Sequence, residues 1–181
     1  TGNEGQQWLD QGSIIGKAGG GPKVLRLADG RLLKLFLPRR RLWLARLVPA
    51  AQRFSINAIR LKSLQIEVPQ VEEYFWLDRE QAVSACLYVP LPGASLSEIY
   101  KRSRGEFDAL LPEFAKFVHL LHQRGVYFRS LHMGNVLHLP DGGFGLIDFL
   151  DIRFKGAPLG LRLIDRNLHH LQGYLSRAKI T

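Results

Sequence analysis

Residues 128–135 read Phe-Arg-Ser-Leu-His-Met-Gly-Asn, and two short apolar runs follow them directly. The runs are 136–139 and 144–147, and the sequence Pro-Asp-Gly-Gly separates them. Proline, aspartate and glycine are typical of tight turns, so the pattern predicts a β-hairpin over 136–148. The quoted stretch therefore places a serine, a histidine and an asparagine just before a hairpin that ends in Asp148.

Helical patterns surround this hairpin. The segments 95–101 and 107–124 have the spacing of amphipathic helices, and Gly125 is a typical residue just after a helix end. A last helix is predicted over roughly 161–176. The apolar face of the second helix is predicted to contain Leu110, Leu111, Phe114, Phe117, Val118 and Leu121.

The first half of the chain has the pattern of an antiparallel sheet. Asp29-Gly30 lies between two apolar runs and predicts a hairpin turn. A helical segment over 39–64, interrupted at Pro49, follows the third strand. Pro90, Pro92 and Gly93 then predict a boundary, because they break the apolar pattern. The predicted strands are 13–16, 24–27, 31–36, 66–76 and 82–89.

Composition limits the class of protein. The 181 residues are 46% apolar, which is enough to bury a core, and no stretch of eighteen apolar residues is present. The single cysteine, Cys86, excludes an internal disulfide and is typical of a reducing compartment. Together with the lack of a signal-like N-terminus, this predicts a cytoplasmic protein.

The net charge of +9 is concentrated in one segment. Nine of the 25 Lys and Arg residues lie between Arg31 and Lys62, where there is no Asp or Glu. The other sixteen are matched by the sixteen acids of the chain. Such a block favours an anionic partner, namely phosphorylated lipid head groups, nucleic acid or an anionic glycan, although a solvated basic face is an equal alternative.

The order of these elements resembles the two-lobed protein-kinase-like fold. The resemblance implies an α+β protein with an N-lobe over 1–90, formed by an antiparallel sheet and one main helix, and a mostly helical C-lobe over 91–181 that carries a hairpin. It also implies ATP and Mg²⁺ as cofactors. The matching residues are Lys34, Gly16, Gly19, Gly20 and Gly21 for the phosphates, Tyr88 and Val89 beside the adenine ring, and Asn135 and Asp148 for Mg²⁺.

Three segments are similar to a narrower group, the bacterial lipopolysaccharide-core kinases and the related "toluene tolerance" proteins. They are the 128–135 loop (F-R-S-L-H-x-G-N), 146–151 (L-I-D-x-x-D) and 162–174 (a closing R-x-x-x-R-N-L helix). This resemblance implies phosphorylation of heptose or Kdo sugars on a lipid-linked core, at the cytoplasmic face of the inner membrane. The basic block would suit an anionic membrane surface.

Two positions depart from the kinase pattern. Kinases pair the strand-three lysine with a helix glutamate, and the matching position here is Asn57. Kinases also carry an aspartate base in the loop, where this chain has Ser130. A serine hydroxyl is not a useful base by itself at neutral pH.

Neighbouring residues could compensate for Ser130. His132 is a candidate base or a structural hydrogen-bonding residue, and Asp151 is a candidate base, a second metal ligand or a loop cap. Arg129 could pack against the segment after Asp148 or contact a substrate phosphate. Whether the protein is a slow kinase or a pseudokinase that binds nucleotide or a partner therefore stays open.

A nucleic-acid-binding domain is a third hypothesis. It explains the basic block but leaves the order of Lys34, Asn135 and Asp148 unexplained, so nucleic acid is not expected as a partner. A protein substrate is not expected either, because the 33 residues after Asp148 are too few for the substrate-binding helices of a protein kinase.

Overall fold

The computed structural model describes residues 13–14, 23–38 and 42–177. Over these residues the chain is a mixed α+β protein with five α-helices and three antiparallel sheets. It divides into two compact units. The first contains the described residues up to Leu61 together with Pro69–Pro90, and the second contains Lys62–Val68 and the described residues from Leu91 onward.

The first unit contains one five-stranded antiparallel sheet. Its strands are β1 (Ser13–Ile14), β2 (Lys23–Arg26), β3 (Leu32–Phe36), β4 (Gln70–Asp78) and β5 (Val83–Val89). Their order in the sheet is β1-β2-β3-β5-β4. The predicted β2–β3 hairpin is confirmed, with Gly30 at a φ of 88° in its turn, where a side chain would be strained. Alternate residues of the strands supply the core, which contains Leu25, Leu27, Leu33, Ala85 and Leu87.

Two helices follow β3, as predicted from the interruption at Pro49. They are α1 (Leu42–Leu47) and α2 (Ala50–Ser63). The start of α2 is held to β5 because the Ala51 amide donates to the Ser84 hydroxyl at 3.2 Å. The residues of α2 that are buried recur at helical spacing and are Ala51, Phe54, Ser55, Ala58 and Leu61.

The fourth strand begins later than predicted. Ile66 is buried, but β4 starts only at Gln70. Pro69 has no amide proton to donate, so it cannot supply a donor to the ladder between β4 and β5, which begins with the pairing of Gln70 with Val89. Glu67 instead forms an isolated parallel bridge with Gly145 in the second unit.

The second unit combines three helices with short strands. The helices are α3 (Leu96–Arg102), α4 (Arg104–Gln123) and α5 (Leu161–Arg177). The strands are β6 (Ala94–Ser95), β7 (Val126–Phe128), β8 (Val136–His138), β9 (Phe144–Leu146) and β10 (Ile152–Phe154). The predicted hairpin is confirmed as β8 and β9, and it gains a third strand, β6, which pairs with β8. The β7–β10 pair and β6 were not predicted.

The end of α4 is determined by Gly125. Its φ is 69°, and a Cβ at this position would overlap the carbonyl oxygen of Ala157. The predicted apolar face of α4 is wrong at Leu111, which is 39% exposed because it lies at the edge of that face, while Phe114 and Leu121 are buried. In the part of the chain that the structure describes, no helix is long and apolar enough to cross a membrane.

Candidate functional site

The 128–135 loop begins where β7 ends. Phe128 is fully buried, and its carbonyl oxygen accepts hydrogen bonds from the Leu131 amide at 3.2 Å and from Asn167 Nδ2 at 2.7 Å. The first bond closes a tight turn, and the second connects the loop to α5. Buried partners at both bonds hold the start of the loop in a defined place.

Ser130 and Asp151 are joined by a short hydrogen bond. Ser130 Oγ donates to Asp151 Oδ1 at 2.7 Å, and both side chains are half-buried. A bond to a carboxylate is stronger than one between neutral groups. The Ser130 carbonyl oxygen also accepts from Asn135 Nδ2 at 3.1 Å. The serine therefore joins a carboxylate on one side to the amide of Asn135 on the other.

Asn135 and Asp148 are brought together by the hairpin. Val136 pairs with Leu146, and the Ile147 amide donates to the Asn135 carbonyl oxygen at 2.9 Å. Asp148 is the next residue, and its φ of 56° is uncommon for a residue with a side chain. Such strain is concentrated at functional sites, and a short polar side chain tolerates it best.

The donor set at this position consists of oxygens. Asn135 Nδ2 donates to the Ser130 carbonyl oxygen, so the amide oxygen Oδ1 of Asn135 points away from Ser130. Asp148 supplies a carboxylate. Two such oxygens fit Mg²⁺, which is commonly held by one or two carboxylates with phosphates and waters. Among the described residues, no group of three or more His, Cys, Asp or Glu could hold a metal ion.

His132 is held on both sides. Its Nδ1 accepts from the Gly134 amide at 3.1 Å, and its ring stacks on Tyr174 with centroids 4.7 Å apart. Burial lowers the pKa of His132, although the negative charges of Asp148 and Asp151 offset part of this effect. A neutral ring with an accepting Nδ1 supports the structural alternative for His132.

Two residues of α5 position this loop, and although both lie in the 162–174 segment, neither was assigned a role from the sequence. Tyr174 stacks on His132, and its hydroxyl lies 3.1 Å from Ser97 Oγ of α3. Asn167 is 1% exposed and also contacts His122 Nε2 of α4 at 2.9 Å. The signal that could have found Asn167 is its position four residues before the buried Leu171, on the apolar face of an amphipathic helix.

Lys34 occupies an aromatic environment in the first unit. It lies in β3 as predicted, is 4% exposed, and its ammonium group is 4.9 Å from the Phe54 ring centroid and 5.7 Å from that of Phe36. Cys86 of β5 is the residue that pairs with Lys34 in the sheet. Burial raises the pKa of the Cys86 thiol to about 12, and the charge of Lys34 acts in the opposite direction.

The other predicted residues have simpler positions. Asn57 is half-buried on α2, one turn after Phe54, and Tyr88 is buried with its ring centroid 6.1 Å from that of Phe54. Val89 is 40% exposed, and Arg129 is exposed at the end of β7. The remaining four, Gly16, Gly19, Gly20 and Gly21, lie outside the described residues.

No protein-family model matches the chain, and no curated protein sequence matches it. The structure itself defines the class of the protein as α+β with antiparallel sheets. One of its units joins the 128–135 loop to the segment from Leu146 to Asp151 through Ser130, Asn135 and Ile147.

Proposed function

We propose that this protein is an ATP- and Mg²⁺-dependent phosphotransferase with a two-lobed kinase-like fold, and that it phosphorylates a heptose or Kdo sugar of the lipopolysaccharide core. The observation that carries the proposal is the pairing of Ser130 with Asp151 beside Asn135 and Asp148. Four polar residues from two separate segments meet there, and strain at Asp148 accompanies them. The choice of sugar rests on the sequence resemblance alone.

Asn135 and Asp148 are the residues we assign to Mg²⁺. When bound, the ion neutralises phosphate charge, which is the main requirement of phosphoryl transfer through a loose transition state. The Ile147–Asn135 backbone bond holds the two side chains at neighbouring positions, so little reorganisation is needed on binding. Lys34 is assigned to the phosphates of the nucleotide, and its burial would increase the effect of its charge.

Asp151 is the residue we assign as general base. The acceptor hydroxyl gives its proton to the Asp151 carboxylate while its oxygen bonds to the γ-phosphorus and ADP leaves. Ser130 is a positioning residue in this scheme, because its hydroxyl bond holds one carboxylate oxygen and leaves the other to face the acceptor. The stacked ring of His132 and the bond to its Nδ1 support a structural role for this residue, and so favour Asp151 as the base.

The test separates binding from transfer. Lys34→Met and Asp148→Ala should lose nucleotide binding in the presence of Mg²⁺, measured by calorimetry. Asp151→Asn should keep binding but lower kcat about 10²–10⁴-fold with a purified core acceptor. Asp141→Asn removes an exposed carboxylate from the turn of the same hairpin and should change neither quantity. Unchanged nucleotide binding in both of the first two variants would refute the proposal.

A pseudokinase is the second candidate, and the composition of α2 favours it. The helix α2 contains no acidic residue, so it cannot supply the carboxylate with which kinases position this lysine. Phe54 of α2 lies against the ammonium group, and Asn57 carries no charge. ATP binding without any phosphoryl transfer to the core acceptor would favour this candidate over the enzyme.

A further inference from the structure

The outer face of α2 combines cations with exposed aliphatic side chains. Arg53, Ile56, Ile59 and Arg60 are all exposed, with Ile56 at 46% and Ile59 at 65%. Residues three and four positions apart share one face of a helix, so Ile56 lies next to each of the other three. We define these four residues as the α2 outer face. The opposite face of α2 is the one buried in the first unit.

The exposed apolar residues of this unit are concentrated in one short stretch of the sequence. Of the ten large apolar side chains that are exposed in the described part of the chain, four lie within residues 47–59. Besides the two isoleucines, they are Leu47, at 71% exposure, and Val48, at 47%. Single exposed aliphatic residues need no explanation, but a group of them is typical of an interaction surface.

The positive charge of the segment that contains α2 favours an anionic partner. No Asp or Glu occurs between Arg31 and Lys62, so the segment that carries the α2 outer face is purely cationic. A nucleic acid would bind the arginines but gain little from isoleucines, since its bases stack on aromatic side chains. An anionic lipid surface uses both, because its head groups attract cations and its acyl region takes up aliphatic side chains.

We propose that the α2 outer face, with Leu47 and Val48, docks on an anionic phospholipid surface. A lipid-linked acceptor would be encountered at such a surface, so this inference deepens the proposed function and rests on it in that respect. Binding to vesicles is measured without nucleotide or acceptor. Loss of docking and loss of phosphoryl transfer are therefore separate results.

The charge arm of the experiment compares two double variants of equal net charge. The full chain is sedimented with vesicles of phosphatidylcholine and phosphatidylglycerol in equal parts, and with pure phosphatidylcholine. Each arginine near an anionic leaflet contributes about fivefold to partitioning, so Arg53→Gln with Arg60→Gln should weaken binding roughly 25-fold. Arg102→Gln with Arg104→Gln removes two exposed arginines, one on α3 and one on α4, that lie outside the α2 outer face, and should leave binding within about twofold.

The apolar arm follows the same design. Ile56→Asn with Ile59→Asn should weaken vesicle binding about tenfold or more, because the aliphatic contact with the acyl region is lost. Leu161→Asn with Leu168→Asn changes two exposed leucines of α5 and should have no effect. All four side chains are exposed, so circular dichroism should show unchanged folding in both variants.

Two outcomes would overturn the proposal. The first is equal binding to neutral and anionic vesicles, or no binding to either. The second is tight, salt-sensitive binding to single-stranded RNA that depends on Arg53 and Arg60 but not on Ile56 and Ile59, with vesicle binding unaffected by all four. That result would identify a nucleic acid as the occupant of this face.

Discussion

Replacement of Asn167 by alanine should destabilise the second unit by a predictable amount. Asn167 Nδ2 donates to the Phe128 carbonyl oxygen, so its Oδ1 is the acceptor for His122 Nε2. The variant leaves the buried His122 nitrogen without its partner, which costs about 1–3 kcal/mol. The Phe128 carbonyl keeps its bond from Leu131, so its loss is about 1 kcal/mol. The sum is roughly 2–4 kcal/mol of unfolding free energy.

Thermal unfolding followed by circular dichroism measures this cost. A chain of this size loses about 2–4 °C in Tm for each kcal/mol, so Asn167→Ala should unfold roughly 4–16 °C earlier. Gln172→Ala removes an exposed amide from the same helix and should change Tm by less than about 2 °C. His122→Ala combined with Asn167→Ala should cost less than the two single changes together. A Tm for Asn167→Ala equal to that of the control would refute the reasoning.

Three further predictions concern other positions. Ser95→Ala removes the capping box that Ser95 forms with Glu98, and should cost about 1 kcal/mol in urea unfolding at pH 7. The hydrogen bonds from Ser95 hold the pKa of Glu98 in the folded protein below its usual value. The stability that these bonds contribute is therefore present above the pKa of Glu98 in the unfolded chain and is lost as pH falls through the lower pKa of the folded protein. The difference in unfolding free energy between Ser95→Ala and the parent protein should shrink over the same pH range. Gly125→Ala should destabilise more than Gly142→Ala, because both residues have positive φ but only the first lacks room for a Cβ; equal losses in Tm would contradict this. Cys86, with a pKa raised to about 12, should not react with iodoacetamide at pH 8 in the native protein and should react in urea, so rapid native labelling would contradict its burial.

The arrangement of α5 has a consequence for the candidate site. Asn167 holds the carbonyl of Phe128 and Tyr174 holds the ring of His132, so this helix contacts the 128–135 loop at two points. Neither residue lies among the groups assigned to chemistry. Changes in α5 should therefore alter the geometry around Ser130 without removing any of the proposed ligands.

The regular elements could be predicted because their signals are local. Asp29-Gly30 and the Pro-Asp-Gly-Gly sequence mark turns, Pro49 interrupts a helical pattern, and Gly125 ends one. The strands β6, β7 and β10 could not be predicted, since two or three residues are too few to show an alternation. The start of β4 was predicted wrongly because an apolar run was extended through Pro69.

By itself, the sequence determined an α+β protein, a lysine in the third strand, a hairpin between Asn135 and Asp148, and one concentrated block of positive charge. Only the tertiary structure decided that Ser130 donates to Asp151, 21 residues away, and that Asn167 reaches Phe128 across 39 residues. Periodicity and turn residues report interactions between near neighbours, whereas a hydrogen bond between distant residues exists only once packing has brought its partners together.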